Sequence, residues 1–336
     1  MGGEIPLSSC PRQRDYKGNY IVAVKFGLAI ENFTTMETNP SLDSLVAYAT
    51  LAEELGLESL WAWDHLFLGA RRPFPFFEAL TILAVLAQHT ETVTLGTGIL
   101  VLPIRDPVLL AKMSGTIQAI SGGRLSLGMA AGWYEREFEA TGVPFKGRGR
   151  IFERNLEIVT RLWDEDTVTG EWDNLQLRSV RMLPRPARRP EVLIGGYVDR
   201  VLRRVATLSD GWLTYFYTAD SFARAWQRIR EFAEEAGRNP NELKNVAQLP
   251  FCVDSSFEAA DTKARQFIHD YFDVAEWSES TPESAIRGTP EQCAQQLAEH
   301  IAAGTEHIVL VPYGYEIEQV ERFAAEVLPL VRKEEG

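Results

Sequence analysis

Thr92-Val93-Thr94-Leu95-Gly96-Thr97-Gly98-Ile99-Leu100-Val101 is the stretch that decides the fold. Its β-branched and aliphatic residues spell a strand, while its two glycines invite comparison with the phosphate loop of an open, doubly wound sheet. That loop spaces its glycines as GxGxxG, so that the backbone can approach a pyrophosphate at a helix N-terminus. Here Gly98 is followed by Ile99, Leu100 and Val101, so the last glycine is absent and the apolar strand simply runs on.

On either side the same rhythm continues. Strand patterns occupy 23–30, 58–63, 92–101, 124–130, 191–195, 211–215, 245–253 and 306–312, and helical patterns occupy 41–55, 76–88, 107–120, 150–163, 198–208, 219–236, 257–272, 290–303 and 316–332. Ser41 suits an N-cap and Gly56 a helix terminator. A polar, hairpin-like excursion fills 165–190, with turn signals at Gly170 and Asp173-Asn174. Strands that alternate with helices form a parallel sheet with helical crossovers. Eight such units fit an α/β fold of the closed (β/α)8 TIM-barrel type with insertions, for which about 250 residues suffice. The chain has 336. No composition break marks a second domain, so residues 21–336 read as one barrel and residues 1–20 as an irregular N-terminal extension.

Bulk properties narrow the function. The chain is 45% apolar and 24% charged, with no run long enough to span a bilayer and no apolar core of a secretory signal near its start. Cys10, Cys252 and Cys293 are odd in number and far apart, which fits reduced thiols in the cytoplasm. A net charge of −13 opposes whole-surface binding to nucleic acid or an anionic membrane. The five histidines form no HxH or HExxH spacing and no CxxC exists, so no metal site is expected. Arg124-Leu125-Ser126-Leu127-Gly128 lacks the GxSxG nucleophile elbow.

A barrel concentrates chemistry at the C-terminal ends of its strands. Those ends carry Trp63-Asp64-His65, Gly98-Ile99 late in strand three, Gly132-Trp133 leading to Glu135-Arg136-Glu137-Phe138, Gly195-Gly196-Tyr197, Tyr215-Phe216-Tyr217 and Pro312-Tyr313-Gly314. Aromatic walls with glycine gaps suit a planar ring, although large rings also serve simply as core. Gly195-Gly196 lies between an apolar strand and a helix start, a form that suits a phosphate as well as a plain tight turn. Arg178, Arg181, Arg185, Arg188 and Arg189 precede this turn, and Arg200, Arg203 and Arg204, spaced for one helical face, follow it. Lys146, Arg148 and Arg150 form a second basic cluster. These charges fit a long anionic tail or a solvated exterior. If strand two stays extended, His65 shares a face with Trp61 and Trp63 and has Asp64 opposite, so adjacency does not make Asp64 its partner. Proton exchange and a structural rim role both remain open for His65 on these grounds. The polar stretch 273–289 reads either as a cover for the rim, with Trp277 reaching substrate, or as a surface connection.

Several segments together resemble the bacterial luciferase-like family of flavin- and deazaflavin-dependent oxidoreductases: SLWAWDHL, VTLGTGILVLPIRDPVLLAK, ISGGRLSLGMAAGWYEREFEATGVPFKGRGRIFERNLEIVTRLW, LPRPARRPEVLIGGYVDRVLRRVATLSDGW and the closing GTPEQCAQQLAEHIAAGTEHIVLVPYG. The resemblance implies a (β/α)8 barrel with the cofactor ring at its C-terminal rim and a phosphate at Gly195-Gly196-Tyr197. It places His65 beside the ring as the acid–base group. Trp63, Asp64, Thr97, Gly98, Ile99, Ala130, Ala131, Gly132 and Trp133 fall around the cofactor, with a non-proline cis peptide at Gly98-Ile99 and a supporting role for Glu137. The segment GWYEREFEATGVPFKGRG resembles the subgroup that uses coenzyme F420, whose poly-glutamate tail would give the arginine-rich turn a purpose. FMN-dependent relatives share much of the pattern. The resemblance thus implies hydride transfer between F420 and a small organic substrate. The alternatives are an FMN-dependent two-component monooxygenase, using O2 and a separate flavin reductase, and a non-catalytic flavin-binding protein. A homodimer is also expected.

Overall fold

The computed structural model describes residues 24–34, 39–69, 73–173, 175–271 and 281–334, together with a small ribbon in which Gln13–Arg14 pairs antiparallel with Tyr20–Ile21. Eight strands form the centre: β1 Lys25–Ala29, β2 Ser59–Ala62, β3 Thr94–Val101, β4 Leu125–Ala130, β5 Glu191–Gly195, β6 Gly211–Tyr215, β7 Lys244–Val253 and β8 His307–Pro312. Each pairs in parallel with its neighbours in the order β6-β5-β4-β3-β2-β1-β8-β7, and β7 pairs again with β6, closing the barrel. The expected fold is the observed one.

The helices start where the sequence can satisfy their first N–H groups. The Ser41 side chain accepts from Ser44 N at the start of α1, Leu42–Glu54. Glu78 caps α2, Ala79–His89, which is why this helix begins three residues later than its apolar pattern suggests. Asp106 caps α3, Pro107–Ile120, with the proline at the first helical position, where its missing donor costs nothing. Next come α4 Glu135–Thr141, α5 Arg148–Asp164, α6 Asp199–Leu208, α7 Ala219–Glu235, α8 Phe257–Tyr271 and α9 Pro290–Ala302, the last begun by a complete capping box at Thr289.

Apolar packing forms two layers. One lies between sheet and helices; the other fills the lumen with Trp61, Leu193, Leu213, Val246, Val309 and Val311. Lumen packing relies on glycine facing bulk. A Cβ on Gly96 would fall 2.3 Å from the Trp61 ring, and one on Gly195 would fall 2.2 Å from Ile99 Cδ1.

Three departures from the sequence reading stand out: helix α4 in a stretch given no helical pattern, an added strand after α8, and a break in the last helix. The polar connection after α8 contains a ninth strand, Ile286–Gly288, paired in parallel with the far end of β7. Trp277 and the rest of 272–280, where a cover for the rim was considered, lie outside the described residues. The last helix is interrupted by a wider turn over Phe323–Val327. The excursion at 165–190 does contain the expected hairpin, Val168–Trp172 against Leu175–Val180. Among the described residues no helix is long and apolar enough to cross a membrane.

Candidate active site

The C-terminal ends of β1 to β4 build one wall of the barrel mouth. Asn32, fully buried just past β1, accepts from Trp63 N and donates through Nδ2 to Trp63 O and Phe77 O, tying the ends of β1 and β2 together. Asp64 is also buried. One carboxylate oxygen accepts from Val101 N at 2.9 Å and the other from Arg105 at 2.5 Å, while Arg105 reaches Glu78 as well. Burial opposes the charge of Arg105, but Asp64 and Glu78 outweigh it and hold its pKa above the ordinary value. Both oxygens of Asp64 are therefore engaged within the wall. Thr97 is likewise fully buried, with its hydroxyl donating to Gly128 O.

With Asp64 committed elsewhere, His65 finds a different acid. Its Nδ1 lies 3.1 Å from Glu137 Oε2, and the second oxygen of Glu137 accepts from Leu66 N at 2.6 Å. Glu137 sits on α4, 72 residues away, and is 1% exposed. Phe76 and Trp133 stand edge-on to the imidazole, each with its ring centre 5.8 Å away. With Glu137 as acceptor, the ring carries its proton on Nδ1 and leaves Nε2 as the basic nitrogen.

From Phe76 the aromatic wall continues through Phe33, stacked at 4.7 Å, to Tyr271 and Tyr315. It ends at Glu31, two residues beyond β1, whose carboxylate accepts from the Tyr271 hydroxyl at 2.8 Å. Burial raises the Glu31 carboxyl above the usual carboxylate range, against the Tyr271 hydrogen bond. A run of rings thus joins His65 to Glu31 across the mouth.

The remaining sequence-derived positions divide between mouth and wall. The Gly98–Ile99 peptide is cis, and the β3–β4 ladder breaks its register between Thr97 and Leu100. Ala130, Ala131 and Gly132 are half-buried, and Trp133 is 38% exposed at the rim. Gly132 needs its positive φ of 79°, and its carbonyl accepts from Arg148 Nε. Gly195 is buried, Gly196 has φ 135°, and Tyr197 projects with 66% exposure just before the uncapped N-terminus of α6. Glu31, Tyr271, Tyr315 and Gln248 were missed by sequence reading, although Glu31 directly follows the strand pattern 23–30 and Gln248 interrupts an apolar strand seven.

The basic residues sort sharply. Arg204 is buried against Glu153 at 2.6 Å, and Arg203 pairs with Glu235 while stacking over Phe232. The shared helical face expected for Arg200, Arg203 and Arg204 is thus split by packing. Arg185 and Arg189 are paired with Asp166 and Asp210. Lys146, Arg150 and Arg200 have no carboxylate partner among the described residues. With Gly147 and Gly149 they line a cleft of about 330 Å³, to which Arg200, three residues beyond Tyr197, brings the start of α6. No cluster of three potential metal ligands occurs among the described residues.

The model of the luciferase-like monooxygenase family matches residues 24–307, and the chain belongs to that family. An F420-dependent glucose-6-phosphate dehydrogenase of Amycolatopsis mediterranei is 26% identical over 86% of this chain and 94% of its own length. An FMNH2-dependent dimethylsulfone monooxygenase of Pseudomonas fluorescens is 25% identical over 94% and 96%. An uncharacterized Mycobacterium tuberculosis protein is 33% identical over 54% of this chain, a match that spans only 62% of that relative. Among solved structures, an F420-dependent secondary alcohol dehydrogenase in complex with an F420–acetone adduct superposes with a TM-score of 0.80 at 18% identity, over 92% of this chain and 99% of that one.

Proposed function

We propose that this enzyme transfers a hydride between coenzyme F420 and a carbon of a small organic substrate, with His65 exchanging the accompanying proton. The observation that carries the choice of cofactor is the cleft of Lys146, Arg150 and Arg200. Three cations with no carboxylate partner among the described residues, one of them in the helix that follows the Gly195-Gly196-Tyr197 turn, match a ligand whose negative charge extends beyond one phosphate. Asp199, in the first turn of α6, is the opposing charge there, and it faces Arg228 at 3.8 Å.

The residues present fit a planar ring bearing a phosphate. Gly196 offers backbone at the turn, and Trp63, Ile99, Gly132 and Trp133 offer apolar and aromatic faces. When bound, the deazaflavin supplies or accepts the hydride. The chain's own part is to hold His65 through Nδ1, leave Nε2 toward the mouth and keep water out with the Phe76, Phe33 and Trp133 rings. The FMN-dependent monooxygenase relative supports a second reading, in which an FMN enzyme is served by a separate reductase.

Equilibrium binding of purified apoprotein to F420 and to FMN tests the choice. F420 is expected to bind tighter, and Arg150→Ala with Arg200→Ala is expected to weaken it about two- to fivefold per charge at low ionic strength. FMN affinity is expected to change less. Tighter binding of FMN, or equal losses for both ligands, would favour the second reading.

A further inference from the structure

Gln248 is the one large polar side chain in the barrel's upper lumen whose hydrogen-bonding capacity is wholly unmet among the described residues. It is fully buried, and neither Nε2 nor Oε1 has a partner. Its direction follows from topology. In the closed order of eight strands, β7 and β3 stand opposite each other, four steps apart either way round. Yet a Cβ placed on Gly98 of β3 would lie 2.3 Å from Gln248 Nε2, so the side chain crosses the lumen. Its height follows from register: Gln248 is level with Tyr215, the last residue of β6, and its carbonyl accepts from Phe216 N at 2.9 Å where the chain leaves the barrel. It therefore lies at the base of the mouth, against the Gly98–Ile99 segment.

Polar groups buried at such a depth are nearly always paired, because an unmade hydrogen bond in a low-dielectric interior is costly. A carboxamide presents a donor and an acceptor side by side, which matches the adjacent C=O and N–H of a lactam or imide edge. We infer that Gln248 is a ring-recognition residue, whose carboxamide hydrogen-bonds the polar edge of the planar cofactor at the base of the mouth. The inference rests on the proposed binding of a flavin-like ring, and that polar edge is common to F420 and FMN.

Gln248→Met keeps the length of the side chain while removing both polar atoms. Two measurements on the apoprotein decide the matter: its Tm, and its affinity for F420 and FMN with the absorption band of the bound ring. The expected result is an unchanged or higher Tm, affinity lower by about ten- to a hundredfold, and a shifted band. Wild-type affinity and band position with a lowered Tm would overturn the inference, since the amide would then be served by a buried water. Should the Met variant not fold, Gln248→Glu makes the same comparison. Its affinity should be weak at neutral pH and recover as the pH falls and the carboxyl regains a donor; pH-independent wild-type affinity would overturn the proposal. If the wild-type protein binds neither ring, the cofactor reading itself has failed, and the inference falls with it.

Discussion

At the scale of single residues, the site rests on one grip. Glu137 holds the His65 ring and the Leu66 N–H with its two oxygens, so it fixes both the orientation of the imidazole and the path of the chain leaving β2. His65→Ala is expected to lower kcat roughly 10²- to 10⁴-fold, the usual range for a general acid–base group, with little change in cofactor Kd. Glu137→Gln should lower kcat less and move the pH–rate profile, because the amide cannot enforce the same tautomer. The double variant should be little worse than His65→Ala alone, the mark of two residues acting as a unit. Equal losses in kcat and cofactor affinity for His65→Ala would remove it from the proton step. His65 was legible from its place at a strand end. Its partner was not, because Glu137 is distant in sequence and reaches the ring only through the turn into α4.

At the scale of elements, local rules were reliable. Ser41, Glu78, Asp106 and Thr289 start their helices as side-chain chemistry demands, and the hairpin forms at its turn residues. Lumen packing was less visible, because a glycine in a strand says only that something comes close. Gly128 shows what that is: a Cβ there would meet Leu213 Cδ2 at 2.3 Å and the backbone oxygen of Thr97 at 2.3 Å. Leu213 can rotate, but Thr97 O belongs to the adjacent strand. Gly128→Ala is therefore expected to destabilise the fold by about 1–3 kcal/mol, read as a lower urea midpoint. An unchanged midpoint would show that the β3–β4 ladder yields at its register break. Charge patterns proved the weakest guide, since Arg200 lines a surface cleft, Arg203 meets an exposed carboxylate, and Arg204 is buried against the half-exposed Glu153.

At the scale of the whole molecule, closing the barrel buries groups that sequence alone leaves neutral in meaning. His300, in the last turn of α9, is 4% exposed, and burial lowers its pKa to about 4. The unfolded chain would titrate this group near 6.5, so between these values the unfolded state binds more protons and folding stability falls as pH falls. The loss begins near pH 6.5 and is complete near pH 4, amounting to at most about 3 kcal/mol. His300→Leu should flatten the pH dependence of urea stability across that window; an unaltered slope would assign it to other groups. The sequence by itself determined the eight-unit barrel, the cap at Ser41 and the strand end that carries His65, because periodicity, capping and strand-end position are local properties. Only the tertiary structure decided which acid holds His65, which cations stay unpaired, and that Gln248 crosses the lumen to Gly98. Those facts depend on distances between strands and helices far apart in the chain, which no local pattern encodes.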